Sequence, residues 1–227
     1  MPALISLQKG IISQNKRTIW SKEMSLDFIK LTETLQNIYQ RYELAAGQFK
    51  TQAACGRGCS SCCSVVGRID IVTIEGFLIL KRLESIPQPV AKKIFQKLER
   101  DRVRRQKGKK SACPFLNTQG ECCIYDVRSF SCRQLYSLRK CDKNGPLVHK
   151  QAVSLARQFV REIQQLDDTG YSGHHSFILK LLQNETFKKT YSAGDFDPGK
   201  IKKFGKRNGI IINRFARSLF RPQNQPF

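Results

Sequence analysis

Apolar positions recur at helical spacing along most of the chain. Leu26, Ile29, Leu31, Leu35, Ile38, Tyr39 and Tyr42 make one broad stripe. They predict a helix that Ser21 or Ser25 caps and that runs to about Ala46, with Gly47 as its stop. Phe77, Leu78, Leu80 and Leu83 predict a second helix, started by Thr73 or Glu75 and ending near Ser85. Pro87 and Pro89 break the chain, and Val90, Ile94, Phe95 and Leu98 open a third. After Gly145 and Pro146, the spacing of Val148, Ala152, Leu155, Phe159, Val160, Ile163 and Leu166 predicts a helix from about Leu147 to Leu166. A shorter one, Ser176 to Gln183, carries Phe177, Ile178, Leu181 and Leu182. Val65 to Val72 is β-branched and reads as a short strand or extended turn. The pattern predicts a mainly α fold, a small helical domain with little or no β structure.

The same pattern divides the chain. Residues 1–20 set Ile5, Leu7, Ile11 and Ile12 among polar and basic residues and read as a basic N-terminal arm. Residues 21–183 form the helical domain. Residues 184–227 form a basic C-terminal extension with turns at Ser192–Asp195 and Asp197–Gly199, a final amphipathic segment around Gly209–Phe215, and a loose tip from Pro222. No stretch reaches the eighteen or so apolar residues of a membrane span. The first ten residues lack the basic region and long apolar core of a secretory signal. A cytoplasmic protein is expected.

Charge adds a partner class. Lys and Arg number 40 against 18 Asp and Glu, a formal charge of +22. Such a chain attracts polyanions: nucleic acid, an acidic protein or an anionic membrane surface. The densest run is Lys92, Lys93, Lys97, Arg100, Arg102, Arg104, Arg105, Lys107, Lys109 and Lys110. Its density suits phosphate contacts, but no aromatic side chains are interleaved to stack on bases.

The chemistry sits in the cysteines. There are nine, an odd number. In a reducing compartment clustered thiols mean metal or redox chemistry more than disulfides. Cys55, Cys59, Cys62 and Cys63 fall in one short run of Gly, Arg and Ser, too small and polar to build a core. Gly56 and Gly58 suit the tight turn from which Cys59 and Cys62 grip one ion. Cys113, Cys122, Cys123, Cys132 and Cys141 follow far downstream, and Asn117–Gly120 reads as a turn that brings Cys113 near Cys122. Two distant groups suggest one metal core, residues 55–141, closed from both ends. Neighbouring Cys62 and Cys63 diverge. They fit two irons of an iron–sulfur cluster, or two adjacent metal sites, better than one structural zinc. Pro114 after Cys113 donates no backbone hydrogen bond and shields the sulfur. Arg128 and Arg133 lie close to Cys132 in sequence and are candidates to offset thiolate charge. Tyr125 is a candidate hydrogen-bond donor to sulfur.

The run Cys55-xxx-Cys59-xx-Cys62-Cys63, then Cys113-Pro-Phe-Leu, Gly120-Glu-Cys122-x-Ile-Tyr-Asp-x-Arg128 and Ser131-Cys132-Arg133 resembles the YkgJ-like cysteine-cluster family, described as zinc- or iron-chelating domains. The resemblance spans about Cys55 to Cys141. It implies a mostly helical metalloprotein with ligands Cys55, Cys59, Cys62, Cys63, Cys113, Cys122 and Cys132, and Cys141 as an eighth. The chain departs from the family at Ser129, where proline is usual, and at Cys123, which reads as a spare thiol; the choice between Cys122 and Cys123 stays open. The resemblance implies an iron–sulfur cluster or zinc as cofactor and no established catalysis. Flagellin lysine-N-methylase has the same kind of cysteine cluster, so a cluster-dependent protein-modifying enzyme is the alternative. A nucleic-acid-associated protein with a zinc staple is another.

Other chemistry is sparse. The chain has no Gly-x-Gly-x-x-Gly turn, and no Ser-His-Asp or Cys-His arrangement assembles from sequence. His174-His175 lies near a turn and His149 starts a helix; such histidines are usually structural or exposed. Asp167-Asp168 reads as a helix end.

Overall fold

A computed structural model describes residues 26–56, 58–65, 68–141, 145–195 and 197–216. The expected N-terminal arm and the tip from Pro222 lie outside the described residues. Helix α1 spans Leu26–Lys50. It runs through Gly47, the expected stop, because Lys50 anchors one further turn. The Lys50 ammonium donates to Glu43 Oε2 at 2.6 Å and to the Arg133 carbonyl at 3.3 Å. Short α2 is Ser61–Val65, followed by strand β1, Asp70–Val72, and α3, Thr73–Ser85. The basic run is helical as far as Gln106, and Lys107, Lys109 and Lys110 lie past the helix end. The helix that carries it is α4, Gln88–Gln106, entered through Pro89 in its first turn.

Then come the one-turn α5, Phe130–Arg133, and α6, Lys150–Leu166, whose first turn His149 caps by accepting from Gln151 N–H. Strand β2, Tyr171–His174, leads directly into α7, His175–Leu182. The region expected as a basic extension adds α8, Glu185–Ser192, α9, Pro198–Asn208, and β3, Ile211–Ile212, and buries Tyr191 and Ile201 in the common core. The apolar burst at Gly209–Phe215 thus becomes a strand and a 3-10 turn, Asn213–Phe215.

The fold is mainly α with a small antiparallel sheet of order β1-β2-β3. Ile71 faces Gly173, and Ser172 faces Ile211 on its other side. The pairing continues into α3, where Thr73 Oγ1 donates to the Tyr171 carbonyl at 3.1 Å and accepts from Tyr171 N–H at 2.8 Å. Among the described residues no helix is long and apolar enough to cross a membrane.

Two apolar clusters flank the sheet. In one, Leu35, Ile38 and Tyr42 of α1 pack on Phe159 and Ile163 of α6 and on Phe130 of α5. The Tyr42 and Phe130 rings meet edge to face, 4.7 Å between centroids. In the other, α3 and α4 close over Ile178, Leu179 and Leu182 of α7. Gly76 permits this approach, since a Cβ there would stand 2.7 Å from Leu182 Cδ1.

Candidate metal centre

The first cysteine run leaves α1 through a turn at Gly58, where φ is +84°. Its start is pinned from across the sequence. Ala54 N–H donates to the Ser137 carbonyl at 2.7 Å, and Ser137 N–H donates to Cys55 Sγ at 3.2 Å. Helix α2 then carries Cys62 and Cys63. The Cys63 carbonyl accepts from Cys113 N–H at 2.8 Å, so the two cysteine groups meet.

The second group begins as a tight hairpin. The Asn117 side-chain oxygen accepts from Gln119 and Glu121 N–H at 2.9 and 2.8 Å, with Gly120 at φ +78°. Leu116 and Cys122 form a β-bridge, and Cys123 N–H donates to the Phe115 carbonyl at 2.9 Å. The expected turn therefore does return Cys122 towards Cys113. Lys97 of α4 buttresses it, its ammonium 2.5 Å from the Leu116 carbonyl. Cys132 lies on α5, where Ser129 Oγ donates to its sulfur at 3.7 Å.

Glu75 sets the position of α5. Its buried carboxylate accepts from Tyr39 of α1 at 2.5 Å, Val72 N–H at 2.9 Å and Phe130 N–H at 2.7 Å. Burial raises its pKa, and these donors and Arg133 pull against that rise. Sequence marked Glu75 as a cap and missed its burial.

The thiols perturb one another in two sets. Burial pushes Cys132 up to about 12, with Cys63 and Cys122 adding to the rise. Burial pushes Cys122 up to about 11, with Cys63 and Cys123 beside it. The hydrogen bond it donates to Cys63 raises Cys113, with burial and Cys132 adding. Cys63 moves the other way, down to about 7, because it accepts that bond and faces Arg128. Cys62 belongs elsewhere. Burial lifts it to about 12, and Cys141 and Cys55 are its strongest thiol neighbours. What burial Cys55 has raises it, with Cys59 and Cys141 adding. The mutual perturbations thus link Cys63, Cys113, Cys122 and Cys132, and link Cys55, Cys59, Cys62 and Cys141, with Cys63 also raising its neighbour Cys62. All nine cysteines are free thiols, Cys55 and Cys59 exposed. Among the described residues no three sulfurs lie within 4.8 Å of one another.

Of the arginines, Arg128 faces the sulfurs, where it favours the thiolates of Cys63 and Cys122. Its guanidinium also lies 4.2 Å from the centroid of the exposed Tyr125 ring. Arg133 turns away. It stacks 4.4 Å over Tyr39 and donates to the carbonyls of Arg128 and Asp126.

A second constellation escaped sequence reasoning. Asp101, His174 and His175 place one ligand atom each within 4.8 Å of one another, all three residues buried. The adjacent histidines were the visible signal. Asp101 sits among arginines, and nothing in its spacing ties it to them.

Comparison with protein-family models, curated proteins and solved structures finds no match for this chain.

Proposed function

We propose that the chain is a thiolate metalloprotein that holds iron–sulfur chemistry between the run 55–63 and the segments 113–141. The observation that carries this reading is the junction of the two runs, where Cys113 N–H donates to the Cys63 carbonyl at 2.8 Å. Cys62 and Cys63 then diverge to serve separate centres. Cys63, Cys113, Cys122 and Cys132 would hold one, and Cys55, Cys59, Cys62 and Cys141 the other, with Cys123 spare. The donor chemistry fits. Thiols with raised pKa values need a cation to ionise, and a bound metal ion supplies it. Bound clusters would supply one-electron transfer or a structural staple.

Iron–sulfur is favoured over single zinc ions. Four thiolates at about 2.3 Å from one zinc stand about 3.8 Å apart. Adjacent Cys62 and Cys63 diverge from neighbouring positions, and a cluster spreads its thiolates over several irons. The reading agrees with the resemblance to YkgJ-like proteins and requires a reducing compartment.

Anaerobic purification followed by visible absorption and assay of iron, zinc and acid-labile sulfide tests it. Iron with sulfide and visible absorbance is the expected result; a colourless protein with stoichiometric zinc replaces the cluster by a staple, and a metal-free protein ends the reading.

A second reading rests on α4. Arg100, Arg104, Lys107, Lys109 and Lys110 are exposed along its end, a face suited to phosphates of a nucleic acid or to an acidic protein. RNA or DNA binding that weakens steeply with salt supports it.

A further inference from the structure

We propose that Asp101, His174 and His175 form a separate, sulfur-free site for one first-row divalent transition cation. The fold makes the site at a junction. His174 ends β2, His175 begins α7, and Asp101 reaches them from α4. Ligand atoms about 2.0–2.2 Å from one ion stand about 3–3.5 Å apart, so small ring rotations close the present arrangement. Two imidazoles and a carboxylate suit ferrous iron, cobalt or zinc.

Three buried ring nitrogens are left without a well-formed hydrogen bond. His174 Nε2 and both nitrogens of His175 make no hydrogen bond of good geometry, although the Ile69 backbone lies beside His175; a cation relieves that unfavourable state. A proton chain fixes which His174 nitrogen is available. Ser176 Oγ donates to Asp101 Oδ2 at 2.7 Å. The same oxygen lies 2.8 Å from His174 Nδ1 and so accepts its proton. The Ser176 N–H approach to that nitrogen, 3.4 Å, is the weaker contact. That tautomer leaves the lone pair on Nε2, while Nδ1 stands 3.6 Å from Asp101 Oδ2.

Asp101 is held as ligating carboxylates commonly are. Arg105 Nε donates to its two oxygens at 3.0 and 2.9 Å, and Ser111 Oγ donates to Oδ1. Arg105 also offsets the carboxylate, so the bound cation's charge is compensated only with a further anionic ligand such as hydroxide.

The test titrates the full chain, purified without oxygen and with any thiol-bound metal in place, with Co²⁺. The proposal predicts one equivalent per chain with visible d–d bands and no near-ultraviolet sulfur-to-cobalt band. His175→Phe fills the same space beside Phe115 and should weaken that binding by at least about 100-fold. A purely structural histidine predicts no change. Unchanged binding in His175→Phe, or no sulfur-free equivalent in the parent protein, overturns the proposal. If His175→Phe does not fold, cobalt-edge X-ray absorption of the parent decides: nitrogen and oxygen ligands support the site, and sulfur ligands overturn it. Cys132→Ser should keep this equivalent, so failure here and failure of the thiol centre are read separately.

Discussion

Glu75→Gln exchanges one oxygen of a fully buried carboxylate for an amide NH2. Oε1 now serves Tyr39 and Phe130, and Oε2 serves Val72 N–H. Glutamine can satisfy one side only. With its oxygen towards Tyr39 and Phe130, its NH2 meets Val72 N–H, donor against donor. The loss is one hydrogen bond to a charged group, about 1.5–3 kcal/mol, plus a stranded buried N–H, about 3 kcal/mol together. In a chain of this size that lowers the melting temperature by about 6–12 °C. Because Phe130 N–H starts the helix that carries Cys132, metal affinity should fall as well, by about 10-fold. Thermal unfolding by circular dichroism, with and without chelator, measures the first effect, and metal retention against a competing chelator measures the second. A stability loss below about 1 kcal/mol at neutral pH would refute the three-donor network. A normal loss with unchanged metal affinity would refute the link from Glu75 to Cys132.

Three further outcomes follow from the packing and charge. Gly76→Val should destabilise by about 1–3 kcal/mol in urea unfolding, since its Cβ meets Leu182 at 2.7 Å and Ile178 at 3.1 Å; full stability would mean that α3 and α7 are not in contact there. Burial pushes the Asp167 carboxyl up from 3.8 to about 7 against hydrogen bonds from Tyr191 and Ile74. The folded chain therefore keeps a proton that the unfolded chain releases, and stability falls as pH rises from about 4 to 7. Asp167→Asn lacks that loss, so the stability difference between the two proteins should change by up to about 4 kcal/mol across this window, with a pH-independent difference contradicting it. Cys123→Ser should keep the full metal content while Cys122→Ser loses part of it; equal losses would show the assignment between these neighbours to be wrong.

The long helices were legible because burial on one side leaves a 3.6-residue period, as at Leu35, Ile38 and Tyr42 or at Ala152, Phe159 and Ile163. The sheet was not. β2 is Tyr-Ser-Gly-His, buried along its whole length, so no alternation marks it, and its partners lie far away in sequence. The C-terminal region read as an extension because Tyr191 and Ile201 are single apolar residues among lysines. At the candidate centre, the Asn117–Gly120 turn was legible from local chemistry alone. The proposed four-and-four division of the thiols rests on Ser137 holding Cys55 and on Cys63 meeting Cys113, contacts that no spacing encodes. Arg128 and Arg133 looked alike in sequence, and only the stacking of Arg133 on Tyr39 separates them.

Metal and sulfide content of Cys132→Ser, Cys141→Ser and the double variant, each purified anaerobically as the full chain, tests the division of the thiols most directly. Each single change should remove the iron and sulfide of its own set and leave those of the other, and the double variant should hold neither. A parent protein without iron or zinc, or a double variant that retains all of the parent's metal, would contradict the account.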